Sequence, residues 1–70
     1  MQGIRKKFGK RIRGLRQTRG FSQEDFADKC GLHRHYVGAI ERGERNISFE
    51  GAHSIAKALK ISLSELFKGV

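Results

Sequence analysis

The stretch of the sequence richest in chemically active side chains is GLHRHYVGAIERG, residues 31–43, which contains two histidines, two arginines and a tyrosine. By residue type, Cys30, His33, His35 and His53 are candidate metal ligands. Metal ligation requires side chains that converge, whereas residues two apart on a helix point away from each other. A core thiol at Cys30 and a turn residue at His33 are the simpler interpretations. We therefore predict no metal site and no cofactor.

The same side chains do not form a catalytic set. The sequence offers no nucleophile with a neighbouring base, no paired carboxylates and no glycine-rich phosphate loop. Cys30 falls on the inner stripe of a predicted helix, and the low exposure this implies argues against a redox switch. We predict that the protein is not an enzyme and has no catalytic residues.

The charge of the chain points to a polyanionic partner. Fifteen Lys and Arg face seven Asp and Glu, eight of the fifteen lie between Arg5 and Arg19, and the first acid is Glu24. Such a surface favours DNA, RNA or anionic lipid, the alternative being a merely soluble basic protein.

One cysteine excludes an internal disulfide, and no segment approaches the ~20 apolar residues of a membrane span. We expect a cytoplasmic protein.

Hydrophobic periodicity predicts that these side chains are positioned by five helices and no strand, which makes residues 1–70 a single all-α domain. Gly9 and Gly14 each weaken the first helix by roughly 1 kcal/mol relative to alanine. Serines 22, 48 and 62 are predicted to cap the second, fourth and fifth helices. The residues predicted to face inward are, helix by helix, Ile4, Phe8, Ile12 and Leu15; Phe26, Ala27 and Cys30; Val37 and Ile40; and Phe49, Ala52, Ile55, Ala56 and Leu59. The fifth helix carries Leu63, Leu66 and Phe67.

Only the three residues GLH separate the second and third predicted helices. A turn this short holds two helices at a large crossing angle. Gly31 can adopt the positive φ that the turn requires, and the small Ala27 lets the next helix approach closely. Leu32 fills the corner, while Val37 and Ile40 anchor the following helix on the core. This set of residues predicts a helix-turn-helix over residues 22–42.

Residues 22–46, SQEDFADKCGLHRHYVGAIERGERN, resemble the phage-repressor-like (Xre-type) helix-turn-helix domain. The chain matches that five-helix domain in length and order from Ile4 to Phe67. Within it, the segments GLHRHYV and IERGERNIS look most similar to the controller proteins of restriction-modification systems. The resemblance implies a compact repressor-like fold that binds duplex DNA. Because the sequence ends just after the fifth helix, we expect no domain for a small-molecule effector.

The third helix presents a surface suited to a groove. At about 100° per residue, Val37, Ile40 and Glu41 fall on one side, and Arg34, His35, Gly38, Ala39 and Arg42 spread over the other. Small residues let a helix enter the DNA major groove deeply, and long donors then reach the bases. Arg34, which suits guanine, and His35 are the leading candidates for base contacts.

The resemblance adds two base contacts and several phosphate contacts. It assigns a base contact to Ala39, whose small side chain could contact only a thymine methyl. It also assigns a DNA contact to Tyr36, although partly buried packing is an equally good interpretation of this residue. It places phosphate contacts at Gln23, Arg42 and Asn46. Ser22, like Gln23, is predicted to contact a phosphate, because the free N–H groups at the start of a helix bind phosphate favourably. Arg45 and Arg19 are further candidates for phosphate contacts. The alternative is that both are solvated side chains at the surface.

Glu41 carries a negative charge close to the predicted DNA face. The resemblance pairs it with Arg16 in the first helix, so we predict a structural ion pair between them.

The apolar residues near the end of the chain predict a homodimer formed by the fifth helix and the end of the fourth, within residues 56–70, through Ile61, Leu63, Leu66 and Phe67. The alternative is that these residues close the monomer core.

Together these features predict a sequence-specific regulator that binds double-stranded DNA as a homodimer on a palindromic operator. Control of restriction-modification genes, or similar autoregulation, is the favoured role, with RNA polymerase as a further candidate partner. A phage-type repressor and an antitoxin-type regulator are alternatives of the same class. A membrane-surface module built on the basic first helix and an RNA-binding module are alternatives of another class.

Overall fold

The computed structural model describes residues 2–70, and side chains from residue 3 onward. Five helices follow one another: α1 Gln2–Thr18, α2 Gln23–Cys30, α3 Arg34–Glu41, α4 Phe49–Leu59 and α5 Leu63–Leu66. Residues 2–70 contain no strand, so the predicted all-α, five-helix fold is confirmed. In this part of the chain no helix has the length and apolar character needed to cross a bilayer.

Local signals in the sequence determine where the helices begin and end. The hydroxyls of Ser22, Ser48 and Ser62 each accept the backbone N–H three residues on, and each such cap stabilises its helix by about 1 kcal/mol. Gly31 ends α2 with φ 70°, in the left-handed region. The chain then turns within three residues into α3, as the helix-turn-helix pattern predicts.

The core positions α3 between α1 and α2. Val37 and Ile40 are almost fully buried, and both belong to one cluster with Ile12 of α1 and Phe26 of α2. Ile55 and Leu59 of α4, a helix that packs against α2, belong to the same cluster. Packing therefore holds one side of α3, and the exposed residues of this helix are Arg34 and His35 at its start.

Two predicted core residues lie at the surface. Ile4 of α1 and Phe49 of α4 are 54% and 77% exposed. Both predictions were wrong for the same reason. Periodicity gives the direction of a side chain around the helix axis, but not how far the neighbouring helices extend along it. Ile4 and Phe49 stand in the first turns of their helices, where no partner covers them.

The four predicted interface residues in and beside the fifth helix differ in burial. Leu66 is completely buried in the monomer core, so its assignment to a dimer interface is corrected. Ile61 and Leu63 are half-buried against the same core. Phe67 follows α5, stacks on Phe8 with ring centroids 4.8 Å apart, and still exposes 41% of its surface.

Candidate nucleic-acid interface

The start of α3 is built by an unusual cap. His33 has an extended backbone, and its Nδ1 accepts the backbone N–H of His35 at 3.1 Å. The two rings lie with centroids 4.7 Å apart, so the expectation that they point away from each other was wrong. The rule for residues two apart holds within a helix, whereas His33 stands before α3 as its N-cap. Even so, no group of three or more metal-binding side chains occurs within residues 2–70.

Arg34 is the first residue of α3, and its guanidinium is exposed. Its Nη1 donates to Oε2 of Glu24 at 2.8 Å, with side chains 56% and 64% exposed. An exposed pair of this kind contributes at most about 1 kcal/mol. Arg34 can therefore exchange this carboxylate for an acceptor on a partner at little cost. The sequence contained no signal for this contact, because Glu24 lies on the preceding helix and only the helix-turn-helix brings the two together.

The middle of α3 is covered, which corrects the prediction that Gly38 and Ala39 face outward. Both are buried, Ala39 with 9% of its surface exposed. A Cβ at Gly38 would lie 3.1 Å from Oε1 of Gln23 and 3.1 Å from Nη1 of Arg42. These atoms are the ends of flexible side chains that lie across the helix. Contact of Ala39 with a base edge stays a prediction, supported only by its small residual surface.

Gln23 is held in place by a buried ion pair. Arg16 Nε donates to Glu41 Oε2 at 2.7 Å and Arg16 Nη2 donates to Oε1 at 3.1 Å. Gln23 Nε2 donates to the same Oε1 at 3.2 Å. Arg16 and Glu41, the pair expected from the resemblance, thus lie in direct contact with 8% and 5% of their surfaces exposed. The pair fixes α1 against α3 and orients the side chain of Gln23 at the start of α2.

Tyr36 connects α3 to the start of α4. It is half-buried, and its hydroxyl accepts the backbone N–H of Ser48 at 3.2 Å. The guanidinium of Arg45 lies 5.2 Å from the centre of its ring, a cation–π contact of about 0.5–1 kcal/mol at an exposed site. This geometry agrees with packing. A DNA contact by Tyr36 stays a prediction.

The remaining candidates for phosphate contacts are exposed. Arg42 ends α3, and its Nε lies 3.1 Å from Oε1 of Glu44. The hydroxyl of Ser22 accepts an N–H of its own helix, and its O–H hydrogen remains available to donate to a phosphate. The others are Arg19 after α1, and Arg45 and Asn46 in the loop between α3 and α4.

Cys30 lies at the end of α2, away from this surface. Burial raises the pKa of its thiol to about 11. The thiol is therefore protonated at neutral pH and lacks the thiolate that redox and nucleophilic chemistry require.

Comparison with known proteins identifies the family. The helix-turn-helix family matches residues 12–66. Control protein C.BamHI of Bacillus amyloliquefaciens is 42% identical over 64 residues, covering 90% of this chain and 79% of its own. Control protein C.MunI of Mycoplasma sp. is 39% identical over 71 residues, covering 100% and 96%. The crystal structure of the restriction-modification controller protein C.AhdI from Aeromonas hydrophila superposes with a TM-score of 0.89 at 46% identity, covering 93% and 94%. The chain belongs to the Xre-type helix-turn-helix family of DNA-binding transcription regulators and is close to the restriction-modification controller proteins.

Proposed function

We propose that this protein is a homodimeric, sequence-specific regulator that binds a palindromic operator and controls restriction-modification genes. The observation that carries the proposal is the exposed end of α3. Arg34 and His35 are exposed there, on a helix fixed by packing against α1 and α2. Gln23 and Arg42 lie across the same helix as candidate backbone contacts. Sequence-specific DNA recognition needs side chains that contact base edges, together with neighbouring side chains that contact phosphates and fix the position of the protein.

The link to restriction-modification rests on similarity across nearly the whole chain. The relatives C.BamHI and C.MunI are named control proteins, and they align with 90% and 100% of this chain. The solved structure of C.AhdI, named a restriction-modification controller, covers 93%. The similarity therefore extends beyond the helix-turn-helix to the helices that surround it.

Selection of bound sequences from a random duplex pool tests the proposal. We expect enrichment of a palindrome whose half-sites are one helical turn, roughly 34 Å, or a multiple of it, apart. Duplex RNA of the same sequence and anionic vesicles, compared at the same salt concentration, are expected to bind more weakly. An unenriched pool, or equal affinity for RNA, would contradict the proposal.

Replacing Arg34 by alanine is expected to relax one position of each selected half-site. A bidentate arginine–guanine contact contributes about 1–3 kcal/mol of discrimination, so the preference at that position falls by roughly 5- to 150-fold. Arg42→Ala is the matched control, since it removes the same side chain from the other end of α3. It is expected to weaken all duplexes alike and to lower the salt slope by about one unit. Binding titrations on the selected site and its single-base variants measure both, and the opposite pattern would reverse the two roles.

The proposed dimer interface is the apolar surface around Phe67. Phe67 and Val70 line a groove of about 250 Å³ together with Ile4 and Phe8 of α1. Ile61 and Leu63 add half-buried apolar surface before and at the start of α5. Residues 56–70 are thus the proposed dimerisation region, now without Leu66 and with Ile4 added from α1. Exposed apolar residues grouped in this way favour burial against a second copy.

Phe67→Glu is expected to raise the dimer dissociation constant by at least about tenfold, because a dimer would bury the new carboxylate without a partner. Phe49→Glu is the control, since it introduces the same charge at an exposed phenylalanine at the opposite end of α4 and is expected to leave the constant unchanged. Sedimentation equilibrium measures both, and circular dichroism checks that each variant is folded. Equal effects of the two variants, or a wild-type monomer at high micromolar concentration, would contradict this interface.

A further inference from the structure

One side of α1 carries a row of cations that the recognition surface described so far does not include. Lys6, Lys10 and Arg13 follow one another at spacings of four and three residues, so they share one face of the helix. All three are exposed, and the described part of α1 contains no acid. We call these three residues the α1 basic strip. Like charges at such spacings repel each other and weaken a helix.

The strip borders the end of α3. A Cβ at Gly9, which lies beside the strip, would stand 2.4 Å from the carbonyl oxygen of Glu41. A Cβ at Gly43 would stand 2.7 Å from Cγ of Lys6. Arg13 Nε lies 3.6 Å from Oε1 of Glu41. Backbone and side-chain geometry therefore place the strip along the last turn of α3 and the residue that follows it.

The strip is also continuous with the candidate phosphate contacts. The carboxylate oxygen of Glu41 nearest to Arg13 also accepts the Nε2 hydrogen of Gln23. On the other side of its amide, Oε1 of Gln23 lies 3.1 Å from the Cβ position of Gly38, and Nη1 of Arg42 lies at the same distance from that position. Arg13, Gln23 and Arg42 thus surround the same turn of α3, and Lys10 and Lys6 extend this group along α1.

Ion pairing within the fold does not account for the charges of Lys6 and Lys10, and it leaves Arg13 largely exposed. Within residues 3–70 neither Lys6 nor Lys10 forms an ion pair, and Arg13 keeps 53% of its side chain exposed beside Glu41. Seven residues of helix span about 10 Å. A DNA strand rises about 3.4 Å along the duplex axis per phosphate, so the strip is long enough for its cations to contact more than one phosphate.

We propose that the α1 basic strip is a second backbone-binding site, through which α1 contacts the DNA phosphates that lie beside the end of α3. The inference rests on the proposed DNA binding and adds a contact surface outside the helix-turn-helix. The strip supplies affinity that does not depend on base sequence, while α3 supplies the preference. It also explains why the positive charge is concentrated in the first helix.

The test is the salt dependence of binding to the selected operator and to a random duplex. Each lost phosphate contact lowers the slope of log K against log salt by about 0.9. Lys6→Gln with Lys10→Gln is therefore expected to lower the slope by about 1.8, and addition of Arg13→Gln by about 2.7. The change is expected to be the same for both duplexes, so that the preference for the operator is kept. The double variant involves no ion pair, which keeps the test valid if Arg13→Gln weakens the fold.

The matched control removes the same three charges elsewhere, as Lys7→Gln, Lys29→Gln and Lys57→Gln. Lys7 lies about 160° around α1 from Gly9, and Lys29 and Lys57 line a cleft where α2 meets α4. The control is expected to lower the slope by less than about 0.9, the value for one phosphate contact. If the strip variants change the slope no more than the control does, this inference is wrong while DNA binding stands. If the wild-type protein does not prefer the operator to a random duplex, the proposed function itself fails.

Discussion

Replacing Glu41 by glutamine is expected to lower the free energy of unfolding by about 3–5 kcal/mol, the usual cost of removing one partner of a buried ion pair. Arg16 is 8% exposed and donates twice to this carboxylate. Without the negative charge, the guanidinium stays buried with two neutral acceptors, the amide oxygen of the glutamine and the carbonyl of Phe21 at 2.9 Å from Nη1, and the NH2 group of the glutamine faces its N–H donors. A neutral amide cannot compensate the desolvation of a full charge.

Urea denaturation followed by circular dichroism measures this effect. Glu65→Gln is the control, because Glu65 pairs with Arg11 at 2.9 Å but is 47% exposed. Screening by solvent limits such a pair to about 1 kcal/mol or less. A loss for Glu41→Gln no larger than that for Glu65→Gln would show that the buried pair does not hold α1 against α3.

Two glycines of α1 are expected to respond to alanine in opposite directions. At Gly9 the added methyl would stand 2.4 Å from the carbonyl oxygen of Glu41 and 2.5 Å from that of Ile40. These are backbone atoms at the end of α3 and cannot turn aside, so α1 must move away from α3. Overpacking of this kind costs about 1–3 kcal/mol, more than the roughly 1 kcal/mol that alanine adds to helix propensity.

Gly14 is the matched control in the same helix. No atom lies within 4 Å of its Cβ position, so Gly14→Ala is expected to stabilise the protein by about 0.5–1 kcal/mol. Thermal and urea unfolding of the two variants measure the difference. A stabilising Gly9→Ala would mean that α1 and α3 do not approach as closely as the structure indicates. In operator binding, only Gly9→Ala is expected to weaken affinity, because it displaces the basic strip and Arg16 together.

The helices and the turn between α2 and α3 were predictable because their signals are local. A serine cap such as Ser22 satisfies N–H groups within its own first turn, and Gly31 supplies a backbone conformation that other residues rarely adopt. Val37 and Ile40 were correctly placed in the core, since period 3.6 specifies the direction in which a helical residue points. None of these inferences needs knowledge of what lies on a neighbouring helix.

The details of the candidate site were less predictable because they depend on side chains from other helices. Gly38 was expected to face outward, but it is buried, because Gln23 of α2 and Arg42 cover it. Arg34 is exposed as expected, but its partner Glu24 belongs to the preceding helix. His33 was expected to point away from His35, but its role as a cap of α3 brings the two rings together.

The sequence by itself determined the fold class, the position of the helix-turn-helix and the identity of the residues at the exposed end of α3. These depend on backbone preferences and on helical phase, which are properties of short segments. Only the tertiary structure decided why Gly9 stands in a helix that it weakens, and which of the basic residues of α1 border α3. Both depend on how closely two helices that are distant in sequence approach each other. That distance is set by packing over the whole core, and no local pattern records it.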